Sequence, residues 1–218
     1  MKSICVFCGS SPGVNPIFMR AAEELGTLLA REKITLVYGG SVLGLMGAVS
    51  RAAIEAGGEV IGVIPRAMVE RGIENYGLAD VRIVGDMHER KAHMASLVDA
   101  FIALPGGYGT MEEIFEVITW AQLGYHQKPC GFLNIAGYYD HLIAFLQQVQ
   151  QQGFISKAYF YMVLWDDSPV SLLQRFLQYR PPDDDKIASA LKKTDEYNHH
   201  HRLDTKLPGV EKTGLTGK

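Results

Sequence analysis

Short apolar runs alternate with stretches of helical periodicity from Lys2 to about Tyr179, and few folds satisfy that pattern. Parallel strands need crossover connections, right-handed crossovers lay a helix back on the sheet, and repeated alternation covers both faces. The expected class is α/β: a Rossmann-like, doubly wound, mostly parallel sheet flanked by helices on both faces. Residues 2–8 (KSICVFC) suit a strand buried on both sides, followed by Thr35 to Tyr38, Glu59 to Ile64 and Val81 to Val84. Ala100 to Leu104, Cys130 to Leu133 and Tyr161 to Trp165 supply strands five to seven. Asn15-Pro16 gives a cap and a first-turn proline to a helix with the stripe Phe18, Ala21, Ala22, Leu25, Leu28 and Leu29. Asp86 and Glu89 stand at capping-box spacing around a helix carrying Met87, Arg90, Lys91, Met94 and Leu97. Tyr138 to Gln151 reads as an amphipathic helix, Ser168-Pro169 opens a last one, and residues 65–80 give only a short helix and a mobile loop.

Three strands run into glycine-rich turns: Gly9 to Gly13, Gly39 to Gly47, and Pro105-Gly106-Gly107-Tyr108-Gly109-Thr110. In a doubly wound sheet these turns share one rim, where ligands bind at the reversal of strand order. The third turn opens a helix whose apolar residues recur at Ile114, Val117, Ile118 and Ala121. Free backbone N–H groups and the positive end of a helix dipole can hold a phosphate there without a dedicated cation. Thr110 and Glu113 also have the Thr-x-x-Glu spacing of a capping box, which would explain both residues without any function. No fingerprint for dinucleotides or ATP is present. Gly39 to Gly47 lacks G-x-G-x-x-G, no strand-end acid follows at about 20 positions, and no G-K-[ST] occurs.

Glu112 and Glu113 fall in the first turn of the helix proposed to meet phosphate. Like charges about 5 Å apart repel by roughly 1–3 kcal/mol, so something must make both tolerable. Arg90-Lys91, one strand earlier, would stand near the same rim. Phosphate, carboxylates and an arginine around one concavity suggest a phosphorylated sugar; the plainer reading is that the acids favour the helix dipole and pair with Arg90.

A net charge of −3 with no basic cluster argues against a nucleic-acid surface. No apolar run approaches the roughly 20 residues that span a bilayer. The first residues reach polar glycine and serine too soon for a secretory signal, so a cytoplasmic location is expected. Cys5 and Cys8 have C-x-x-C spacing, yet a strand points residues three apart to opposite faces; with Cys130 they read as core thiols. Past Arg180, Pro181-Pro182, three aspartates and His199-His200-His201 leave little to bury. Residues 1–182 are expected to form a single domain, and 183–218 a polar, disordered tail.

The run Met87-His88-Glu89-Arg90-Lys91, then Pro105 to Glu113 with P-G-G-x-G-T-x-x-E complete, then Thr119 to Gly124, resembles the Lonely Guy (LOG) family of cytokinin-activating phosphoribohydrolases. The similarity runs from FCGSSPG near the start to about Arg180. The resemblance implies a dimer that cleaves purine riboside 5′-monophosphates, cytokinin-type or AMP, to free base and ribose 5-phosphate, with no cofactor and no metal. It implies Arg90 and Glu113 as the catalytic pair, Gly107, Tyr108, Gly109, Thr110 and Met111 at the phosphate turn, and Lys91, Glu112 and Thr119 lining the ribotide site. The residues themselves are compatible with that chemistry, since a carboxylate can stabilise an oxocarbenium-like sugar and activate water. Phe115, Trp120 and Leu123, off the helix's main stripe, would be covered by a partner subunit. Two other readings stand beside it. One is a non-catalytic nucleotide-binding module; the other is an amino-acid decarboxylase, for which neither Lys91 nor Lys128 has the context of a Schiff-base lysine.

Overall fold

The computed structural model describes residues 1–75 and 77–201. Seven strands form one sheet: β1 (Ser3–Phe7), β2 (Thr35–Tyr38), β3 (Val60–Pro65), β4 (Asp80–Val84), β5 (Ala100–Ala103), β6 (Cys130–Leu133) and β7 (Val163–Asp166). Their order is β4-β3-β2-β1-β5-β6-β7, and the paired strands are parallel throughout the sheet. The chain builds outward from β1 to β4 and then crosses back to add β5 on the other side of β1. Loops leaving β1 and β5 therefore diverge, and the crevice between them is the switch point at which such sheets bind ligands.

Alternating residues of β1 feed two cores. Ile4, Val6 and Cys8 face one, with α1 (Ile17–Arg31), α2 (Gly44–Glu55) and α8 (Pro169–Gln178) contributing Leu25, Leu29, Val49, Leu172 and Phe176. Cys5 and Phe7 face the other, with α4 (Met87–Ser96) and α5 (Tyr108–Gln122) contributing Met94, Ile114 and Val117. Cys5 and Cys8 thus lie on opposite faces, and all three cysteines are buried and unpaired.

Several helix starts follow the expected chemistry. Asp86 Oδ1 accepts from the His88 and Glu89 N–H groups at 2.8 and 2.9 Å, while Glu89 reaches back to the Gly85 N–H at 2.6 Å. Ser168 caps α8 ahead of Pro169. α1 begins at Ile17 rather than at Pro16, with Asn15 Oδ1 accepting the Ile17 N–H at 3.0 Å.

Three expectations change. Residues 157–162 form a helix, α7 (Lys157–Met162), started by the Ser156 hydroxyl on the Tyr159 N–H, and β7 begins only at Val163. Within 65–80 the helix is one turn, α3 (Arg66–Val69), and the loop after it is tied down. Asn75 donates to the Tyr38 hydroxyl at 3.2 Å, its N–H reaches the Gly40 carbonyl at 2.9 Å, and Glu74 bridges to Ser41. In the expected tail, Lys186–His201 is helical (α9). Asp185 caps it, accepting from Ile187 and Ala188 N–H, and alanine, leucine and lysine favour the helix that follows. The rest of the expected tail, residues 202–218, lies outside the described residues. The helix expected over 138–151 is α6 (Asp140–Gln151), preceded by a 3₁₀ turn at Ile135–Gly137. Among the described residues no helix is long and apolar enough to cross a membrane.

Candidate active site

The carboxyl ends of β1, β2 and β5 are fastened to one another through backbone bonds. The Gly9 N–H donates to the Pro105 carbonyl at 3.0 Å, and the Leu45 N–H in the first turn of α2 donates to the Gly9 carbonyl at 3.0 Å. Gly106 has to lack a side chain here, because a Cβ would meet the Gly9 nitrogen at 2.8 Å and overlap the Thr110 hydroxyl. Between the three loops opens a cavity of about 460 Å³.

One wall is the start of α5. Its N-cap is Gly107, no side chain caps it, and the first intrahelical bond is Met111 N–H to Gly107 carbonyl at 3.1 Å. The Tyr108, Gly109 and Thr110 N–H groups consequently have no hydrogen-bond partner among the described residues, and Gly107 to Thr110 line the cavity. Space is open beside Gly107 and Gly109, where a Cβ would touch nothing. This arrangement is an anion site by geometry and by dipole. It also corrects the capping-box reading. α5 begins at Tyr108, upstream of Thr110, so Thr110 is already inside the helix and Glu113 stands in its second turn.

Glu113 turns instead to α4. Its carboxylate pairs with Arg90 Nη1, the two side chains being 10% and 9% exposed. Arg90 Nε donates to the Val63 carbonyl in β3, 3.0 Å away. Both side chains line the cavity. Burial holds the Glu113 carboxyl above the usual carboxylate range; Arg90 opposes that shift and Glu112 adds to it. Burial likewise pushes up the thiol of Cys8, which lines the same cavity.

The neighbouring pair points elsewhere. Lys91 Nζ, largely buried, binds Glu112 and, at 3.1 Å, Glu116. Burial pulls the Lys91 pKa down, but its two carboxylate partners outweigh that and leave it raised. Lys91, Met111, Glu112 and Thr119 lie outside the cavity lining, and the Thr119 hydroxyl donates to the Phe115 carbonyl at 2.7 Å. Arg90, Glu113, Gly107, Tyr108, Gly109 and Thr110 are the expected residues that meet around one space.

The opposite wall comes from the β2–α2 loop expected on this rim and from the 65–80 region, although the sequence does not single out its individual lining residues. Leu43 and Met46 of the β2–α2 region, Met68 and Ile73 beyond β3, and Met87 at the start of α4 give it an apolar lining. The strand-end rule places the β2–α2 loop there, as expected for Gly39 to Gly47. Nothing in the sequence signals Met68 or Ile73. Among the described residues no group of three or more His, Cys, Asp or Glu could hold a metal ion.

Residues 46–176 match the family model described as possible lysine decarboxylase. A cytokinin riboside 5′-monophosphate phosphoribohydrolase of Arabidopsis thaliana is 50% identical over 188 residues, 86% of this chain and 88% of that one. A protein of Oryza sativa subsp. japonica, named a probable enzyme of the same kind, is 50% identical over 89% of this chain and 78% of its own. Among solved structures, the molybdenum cofactor carrier protein of Chlamydomonas reinhardtii superposes with TM-score 0.62 at 20% identity, covering 82% of this chain and 99% of that one. The molybdenum cofactor binding protein of Rippkaea orientalis gives 0.61 at 23%, covering 81% and 98%. At such identities the structural likeness speaks to the fold alone.

Proposed function

The chain belongs to the family of cytokinin riboside 5′-monophosphate phosphoribohydrolases, and from that premise we propose which residues carry the reaction. The enzyme is a hydrolase that cleaves the N-glycosidic bond of a purine riboside 5′-monophosphate to free base and ribose 5-phosphate. The observation that carries the assignment is a buried Arg90–Glu113 pair opening into the same cavity as an uncapped helix N-terminus.

In this reading the 5′-phosphate sits on the Tyr108, Gly109 and Thr110 N–H groups. The C1′–N bond breaks with its electron pair leaving on the base, and cationic character grows at C1′. The Glu113 carboxylate stabilises that cation and takes the proton of the water whose oxygen bonds to C1′. Arg90, held by Glu113 and Val63, offers its remaining N–H groups to the charge building on the base. A proton from solvent then neutralises the base. The apolar wall from Leu43 to Met87 takes the base and its N6 substituent. Burying two methylenes there gains about 1.6 kcal/mol, roughly tenfold in affinity.

The name carried by the family model implies pyridoxal phosphate on a lysine. The residues do not fit that group. No lysine is among the cavity's lining; Lys91 is held by Glu112 and Glu116, and Lys128 Nζ donates to the Ala95 carbonyl at 2.7 Å.

Homodimerisation belongs to the same proposal. α6 buries none of its residues and leaves Phe145 exposed, while α5 leaves Phe115, Ile118 and Trp120 half-buried and Leu123 exposed. A second copy would cover these faces. Three unpaired thiols fit a reducing compartment, and a cytoplasmic location is proposed with them.

The test is release of free base, followed chromatographically, from AMP, adenosine and an N6-alkylated AMP. Remote phosphate binding should raise turnover as well as affinity, so AMP should be cleaved far better than adenosine. The N6-alkylated nucleotide should exceed AMP about tenfold in kcat/KM. Equal rates on AMP and adenosine would remove the phosphate assignment, and no base release from any of them would leave a nucleotide-binding module.

A further inference from the structure

Gly39, the residue after β2, differs from the other glycines of this rim in what surrounds it. A Cβ at Gly40 or Gly44 would need a left-handed backbone, φ being +74° and +53°. At Gly44 it would also be driven into the backbone of Ser10 and Ser11. Gly39 has no positive φ, so no left-handed conformation bars a side chain there. What a Cβ would meet there is the Arg90 guanidinium, overlapping Nη2 and standing 3.5 Å from Cζ, and the Met46 sulfur at 2.9 Å. Both obstacles are the ends of side chains that line the cavity.

The guanidinium is fixed on its other edges. Nε is on the Val63 carbonyl and Nη1 on Glu113. Nη2 has no hydrogen-bond partner among the described residues, so both of its N–H groups are left to meet a ligand. We propose that Gly39 is a positioning residue for Arg90: the missing side chain at the end of β2 lets the guanidinium lie against the backbone there, with Nη2 available to the cavity. The inference rests on the reading above that Arg90 acts on the substrate.

The test compares Gly39→Ala, Arg90→Lys and the double variant by base release from the nucleotide, with melting temperature measured on each. Gly39→Ala should melt within about 8 °C of the parent, since only side-chain ends must move but the buried Arg90–Glu113 pair is loosened. Its kcat should fall about a hundredfold, the cost of misplacing a catalytic group by roughly 1 Å. Lysine has no second terminal nitrogen to displace. Adding Gly39→Ala to Arg90→Lys should therefore cost almost nothing more, whereas independent sites would lose activity additively. Loosening Arg90 from Glu113 should also move the acid limb of the kcat/KM profile of Gly39→Ala to higher pH, a change that a purely structural defect does not produce. Parental turnover in Gly39→Ala, additive losses in the double variant, or a Gly39→Ala protein that fails to fold would each overturn the proposal. If Arg90→Lys is inactive while Gly39→Ala is unimpaired, only the role of Gly39 falls. If Arg90→Lys keeps full turnover, the assignment of Arg90 falls and takes that of Gly39 with it.

Discussion

Replacing Glu113 by glutamine separates stability from chemistry at this site. The side chains are nearly the same size, and the amide oxygen can still accept from Arg90 Nη1. Removing one partner of a buried ion pair costs about 3–5 kcal/mol, and the bond that the still-charged Arg90 keeps to the amide returns about 1.5–3 kcal/mol of it, so the exchange loses about 1–2 kcal/mol. Two further effects do not enlarge that loss. Glu113 is not the cap of α5, so the helix start is untouched. Its carboxyl is held above the usual range by burial, against the pull of Arg90. A group whose native pKa lies above its unfolded one adds stability only while protonated. That contribution is present below the unfolded pKa and lost as pH rises through the native one, so above the native pKa glutamine has none of it to forfeit. At about 2–4 °C per kcal/mol for a chain of this size, the melting temperature should drop by about 2–8 °C. Turnover should fall much further, by at least about a hundredfold and up to about 10⁴-fold, because an amide neither takes a proton from water nor balances a cation. Chromatographic release of base, beside calorimetry and nucleotide binding on the same sample, reads all three quantities. Near-normal turnover in a folded Glu113→Gln protein would refute the mechanism.

The kcat/KM profile should show an acid limb above the usual carboxylate range. Activity is expected to disappear as pH falls through the raised Glu113 pKa, with Arg90, Glu112, Lys91, Cys5 and Cys8 the titratable or charged groups acting on or around it; a limb at or below that range would show that the essential base is another group. Light scattering at micromolar concentration should give twice the chain mass. Phe145→Glu together with Leu123→Glu should shift that to the monomer, and a parent protein that is monomeric under those conditions would count against the apolar faces of α5 and α6 as an interface.

Much of the fold was legible because crossover topology leaves a coarse periodic signal. What the sequence misstated lies where local and distant preferences compete. Tyr161 and Met162 look like strand because aromatic residues fit pleated surfaces, yet Ser156 caps a helix that runs through both. Residues 65–80 were opaque because their order comes from partners far along the chain, such as Asn75 on Tyr38 and Gly40. The capping-box spacing at Thr110 and Glu113 was a true pattern with the wrong cause. Gly107 lets the helix start earlier, and that moves Glu113 inward to where α4 supplies an arginine.

The same shift explains why two adjacent acids on α5 have different employments. Neighbouring helical residues are about 100° apart, so they cannot face one partner. Glu113 takes the side toward the cavity and meets Arg90, while Glu112 and Glu116, four residues apart on one face, meet Lys91. Arg90 and Lys91 are themselves adjacent on α4, and their side chains diverge by the same rotation. α4 and α5 are thus joined by three ion pairs, one opening into the cavity and two, sharing Lys91, away from it. The outer two, with a largely buried ammonium shared between two carboxylates, hold the helices in register at the point where a small sliding would carry Arg90 off Glu113. The inner pair is therefore kept still by the same chemistry repeated one residue along, on the side away from the cavity.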